Sequence, residues 1–165
     1  MVLTSTRSRT TTGAGVLAAF LLVLVFGSPM YVDWARDTAD TSNAGGWFLR
    51  LLAWPAGRFS SDESVRTVLS ADIKAILLVV LTAVFLYLLP GSQLARARGS
   101  VSQLLAGWAA YIFAGGLAGL LAAFILTDPS LLAAFQAANA GAGYGLFAGW
   151  IVGIATLGGH RGGPG

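Results

Sequence analysis

Four long stretches of this chain carry no charged residue: those between Arg9 and Asp33, Lys74 and Arg96, Arg98 and Asp128, and Asp128 and Arg161. A helix needs about 20 mostly apolar residues to cross the hydrocarbon of a bilayer, and each stretch holds such a run. The spans read as 13–32, 71–89, 102–127 and 141–157. The second is the plainest, with eleven Leu, Ile, Val or Phe residues between Ala75 and Leu89. At roughly −0.3 to −0.6 kcal/mol each, they favour insertion by roughly 3–7 kcal/mol. Pro90 and Gly91 then stop the helix. The fold class is therefore all-α: an integral membrane protein with four transmembrane helices in a bundle and one short extracytoplasmic loop lying at the membrane surface.

Composition agrees. Charged residues make up 10% of the 165, against about 25% in soluble domains, which excludes an ordinary water-soluble domain. Ten bases against seven acids give no basic face, so no nucleic-acid partner is expected; the lipid bilayer is the expected partner. Nine of the ten bases are arginine, and alanine and glycine abound, a hint of a GC-rich bacterial genome and hence of a bacterial inner membrane.

The spans divide the chain into a tail over 1–12, an outer loop over 33–70, a cytoplasmic loop over 90–101, an outer connection over 128–140 and a tail over 158–165. Under the positive-inside bias the count ties, since Arg36, Arg50, Arg58 and Arg66 in the long outer loop, with Lys74 at its edge, match the five bases of the other segments. Arg7 and Arg9 before the first span and Arg96 and Arg98 in the compact loop break the tie and place both termini in the cytoplasm. The first span has a rival reading. Arg7, Arg9 and the run from Val16 to Phe26 resemble a secretory signal peptide, although Val25 and Phe26 stand where a cleavage site wants small residues.

In the outer loop, Trp47, Leu51 and Trp54 recur at i, i+4, i+7, with Phe48 and Leu52 beside them and Arg50 and Arg58 at the flanks. This is the pattern of a short helix lying in the headgroup layer. Tyr31 and Trp34 join Trp47 and Trp54 as membrane-interface residues. Ser60 and Glu63 form a capping box for a helix that runs on into the second span. Asp33, Asp37 and Asp40 do not have the spacing of a calcium loop and read as solvated polar residues.

The most specific pattern is the row Gly141, Gly145, Gly149, Gly153, a glycine zipper along one side of the fourth span over about 18 Å. Each glycine weakens a helix by roughly 1 kcal/mol relative to alanine, so the row needs a reason. In a bilayer, small residues let backbones approach closely. Gly115 and Gly119 offer the matching face on the third span, so these two helices are expected to pack as an antiparallel hairpin. The same faces also suit contact with a second copy or another membrane protein. Tyr111 and Tyr144 lie near these contacts, where a phenol finds a carbonyl. Asp128 and Pro129 read as a helix start, and Asn139 before Gly141 as a place for a kink.

Chemistry is sparse. There is no cysteine and one histidine, His160, so neither a metal site nor a Ser–His–Asp set assembles. Lys74, the single lysine, stands in no phosphate-binding motif. No catalytic, cofactor-binding or metal-ligating residue is expected. The leading expectation is a multi-pass accessory or assembly subunit acting through helix–helix contacts; the alternative is a small oligomeric transporter or channel component.

Overall fold

The computed structural model describes the backbone of residues 3–40, 42–56, 65–88, 100–126 and 130–161, with side chains over 12–40, 42–55, 72–88, 101–125 and 130–158. The described residues are helical throughout: α1 (Leu3–Phe26), α2 (Pro29–Thr38), α3 (Ala44–Leu52), a 3-10 turn (Trp54–Ala56), α4 (Val65–Leu88), α5 (Ser100–Leu126) and α6 (Leu131–Arg161).

Local chemistry sets the ends. The apolar run expected to continue through Val32 breaks at Gly27 and Ser28. Pro29 forces the preceding residue out of helical backbone, and Ser28 takes an extended φ of −68° and ψ of 142°, its hydroxyl accepting from the Tyr31 N–H. Serine at the cap and proline at the first position start a new helix, bent 57° from the last. Asn43 caps α3 by accepting from the Gly46 N–H at 2.7 Å. The α2–α3 connection is tight enough that a Cβ on Gly46 would run into the Asp40 carbonyl. Ser130 caps α6, its hydroxyl accepting from the Ala133 N–H at 3.1 Å. Asp128 and Pro129, like the Ser60–Glu63 box, Pro90 and Gly91, lie outside the described residues. Within the stretch over 128–140 read as the outer connection, the residues from Leu131 on form the start of α6, which runs uninterrupted past Asn139.

α1, α4, α5 and α6 form a ring in which α1 packs on α4, α4 on α5, α5 on α6 and α6 back on α1. Contacts fix the directions. Gly15 of α1 meets Leu86 and Thr156, while α1 reaches the 3-10 turn beside Lys74 and Tyr144. Neighbours are thus antiparallel around the ring. The axis is filled: Leu78, Thr82, Tyr111, Tyr144, Val152 and Thr156 are all among the fully buried side chains.

The outward surface is the reverse of a water-soluble bundle's, and small residues make up much of the buried set. Small residues line the inside, with Ala19, Ala110, Ala114, Ala118, Ala122 and Ala148 buried. Large apolar residues face out on every helix of the ring, among them Phe20, Val80, Phe113 and Trp150. Two helical segments, Val101–Ile125 and Leu131–Gly158, are long and apolar enough to cross a membrane among the described residues, and α1 with α2 makes a third if the bent pair is one span.

Candidate functional site

Between α5 and α6 the backbones approach closely, and glycine makes the approach possible. A Cβ on Gly115 would strike the Gly141 carbonyl, and one on Gly141 would strike the Gly115 carbonyl. Gly119 faces the Ala137 carbonyl in the same way. Further along, a Cβ on Gly145 would lie 2.7 Å from the Ile112 Cα, and one on Gly153 2.6 Å from the Leu104 carbonyl. Gly149 is different, because its neighbours at 3.0–3.1 Å are the Trp108 and Tyr111 side chains. The structure thus brings Gly115, Gly119, Gly141, Gly145, Gly149 and Gly153 into one antiparallel contact within the chain. Buried carbonyls at such distances suit Cα–H···O contacts.

Two further glycines belong to this packing and carried a weaker sequence signal. Gly107 lies eight residues before Gly115, on the same face, and a Cβ there would meet the Thr156 hydroxyl at 2.5 Å. Gly15 admits the Thr156 methyl and the end of Leu86. Thr156 is therefore the point where α1, α5 and α6 converge. Its hydroxyl donates to the Gly153 carbonyl at 2.7 Å, with the Gln103 carbonyl at 3.4 Å. Thr82 likewise donates to the Leu78 carbonyl at 2.6 Å. Both buried hydroxyls are satisfied on backbone, as a low-dielectric interior requires.

An aromatic column crosses the bundle beside the zipper. The Tyr111 hydroxyl donates to the Tyr144 hydroxyl at 3.2 Å, so these phenols find each other and not a carbonyl. Trp54 stacks on Tyr144 with centroids 5.3 Å apart and planes 26° apart, and its ring edge rests on Gly141. The Lys74 ammonium lies 4.8 Å from the Trp54 ring centre, a cation–π pair. Gly141 therefore accommodates both the α5 backbone and the indole.

The four expected interface aromatics divide. Trp34 and Trp47 are about half exposed, Trp47 meeting Phe147 of α6 edge-on at 5.4 Å. Tyr31 is partly buried between Phe26 and Trp34, and its hydroxyl donates to the Leu49 carbonyl at 3.1 Å. Trp54 is drawn into the bundle by the stack just described. The column carried no local signal in sequence, because Trp54, Lys74, Tyr111 and Tyr144 come from four separate elements.

The carboxylates do not converge. Asp33 and Asp37 are exposed on α2, while Asp40 accepts from the Ser42 N–H at 2.9 Å, which holds its carboxyl below the usual value. Among the described residues, no group of three or more His, Asp or Glu side chains is placed to hold a metal ion. What the geometry offers is packing: backbone against backbone along α5–α6, and a connecting segment keyed into it through Trp54. No family model matches the chain, nor does any curated protein or solved structure.

Proposed function

We propose that this chain is a multi-pass protein of a bacterial inner membrane, with α1, α4, α5 and α6 as four spans and both termini in the cytoplasm. In this reading it serves as a non-catalytic accessory or assembly subunit that acts through helix contacts in the bilayer. The observation that carries it is the combination of a filled axis with an outward apolar surface. Tyr111, Tyr144, Leu78 and Val152 occupy the centre that a single-chain path would need, while Phe113, Phe124, Phe135 and Trp150 are exposed. In water such a surface promotes aggregation; in a bilayer it meets lipid or another helix.

The test is gentle solubilisation of the tagged protein from its own membranes, followed by native mass spectrometry and by reconstitution of the purified chain. The reading expects a different membrane protein in fixed ratio with this one, and liposomes that remain tight to ions and small solutes. Flux carried by the purified chain alone would replace it with the oligomeric transporter or channel.

A further inference from the structure

The apolar girdle of the ring is not the same height all round. On α5 the exposed large apolar residues run from Val101 to Ile125, and on α6 from Leu131 to Ile154, about 35 Å of helix in each case. On α4, among the described residues, they run only from Ile76 to Leu88, and on α1 they end at Val25. The α4 band is about 18 Å tall, against roughly 30 Å of hydrocarbon in a bilayer.

The shortfall lies at the outer end. Gly15 of α1 meets both Leu86 and Thr156, which makes those two residues of the parallel helices α4 and α6 level. Twelve residues further out on each, Lys74 and Tyr144 share the Trp54 ring, so the level holds there too. Eleven residues along α1 from Gly15, Phe26 ends the helix at this height, and the chain turns by 57° into α2. From this height outward α4 carries Lys74, Asp72 and Arg66, whereas α6 stays uncharged to Leu131, about 20 Å further on. The segment from α2 to the 3-10 turn takes the place above α1, with Tyr31 against Phe26 and Trp47 against Phe147. It exposes Asp33, Arg36, Asp37 and Arg50.

Ionised side chains are costly in hydrocarbon, and a helix whose apolar stretch is too short is accommodated by thinning of the bilayer around it. We infer that the outer α1–α4 side fits a stepped lipid surface. There headgroups and water descend to the level of Lys74 and Trp54, while the α5–α6 side stands in hydrocarbon of full thickness. This rests on the four-span reading proposed above and adds to it the shape of bilayer that the bundle imposes. A rigid tilt gives a different result, since it offsets the inner ends of α4 and α6 as much as their outer ends.

Two pairs of exposed, level positions on α4 and α6 test the step: Ile76 with Leu146, and Val84 with Ile154. The chain has no cysteine, so Ile76→Cys, Leu146→Cys, Val84→Cys and Ile154→Cys each take a single nitroxide label. The full chain is reconstituted in palmitoyl-oleoyl phosphatidylcholine vesicles, and depth is read from collisions with oxygen against a nickel chelate present on both sides. Labels at 84 and 154 are expected at equal depth within the hydrocarbon. The label at 76 is expected at the outer boundary, and that at 146 about 10 Å inside it. A third level pair, Val80 and Trp150, is exposed as well; it is expected to differ in the same sense and stands in should a label at 76 or 146 prevent folding. Equal depths at 76 and 146 overturn the step, and so does the same offset in the inner pair, the signature of tilt. Labels at 84 and 154 that lie outside hydrocarbon refute the spanning reading itself.

Discussion

At the scale of single residues, the glycines are not equivalent, and the difference is measurable. Gly141 faces a backbone carbonyl and an indole, neither of which yields, so Gly141→Ala should destabilise the folded chain by about 1–3 kcal/mol through overpacking. Gly149 faces side chains at 3.0–3.1 Å, which adjust by small rotations, and Gly149→Ala should cost less than about 1 kcal/mol. Gly143→Ala, entering open space, should leave the monomer unchanged or stabilise it by up to about 1 kcal/mol of helix propensity. Thermal unfolding of the three variants in detergent checks the order. The tyrosine pair makes a second prediction. Tyr111→Phe leaves the Tyr144 hydroxyl buried without its partner and should cost about 1–3 kcal/mol. The double change Tyr111→Phe with Tyr144→Phe removes both polar groups, so it should cost no more than the single one. Additive losses would mean the hydroxyls are not paired.

At the scale of elements, the segment from α2 to the 3-10 turn is the least predictable part and the most informative. Its Trp54 sits on Gly141, about ten residues into α6, which places it roughly 15 Å along the helix from Leu131. The segment therefore packs against the flank of the α5–α6 hairpin. Trp54→Ala should cost roughly 2–4 kcal/mol, toward the lower part of the range for large aromatics because the ring is only partly buried. Trp54→Phe should retain most of that stability, and a melting curve for each separates stacking from mere bulk. The helices themselves were legible, because uncharged apolar runs of this length have few alternatives. The α5–α6 contact was also legible, since Gly115, Gly119 and the row from Gly141 to Gly153 share one helical spacing. The break before Pro29 was written locally in Ser28 and Pro29 but masked by apolar sequence on both sides. Of the Trp54 column, only the place of Tyr111 and Tyr144 beside the α5–α6 contact was legible; their mutual hydrogen bond and the stacking of Trp54 join residues up to 90 positions apart that no periodicity relates.

At the scale of the whole molecule, the helices form an antiparallel ring with alanine and glycine at many of their contacts and large apolar side chains outside. That arrangement suits a solvent that does not compete for apolar surface, where close backbone packing and not burial from water holds helices together. Cysteine scanning tests it most directly. Ser42→Cys, in the α2–α3 connection, and Ala97→Cys and Gly163→Cys, in the loop and tail assigned to the cytoplasm, are treated with a membrane-impermeant maleimide on intact cells and on inverted vesicles. The account predicts that position 42 reacts only from outside the cell and positions 97 and 163 only from inside. Reaction of all three from the same side, or recovery of the protein in the soluble fraction, would contradict the proposed four-span arrangement.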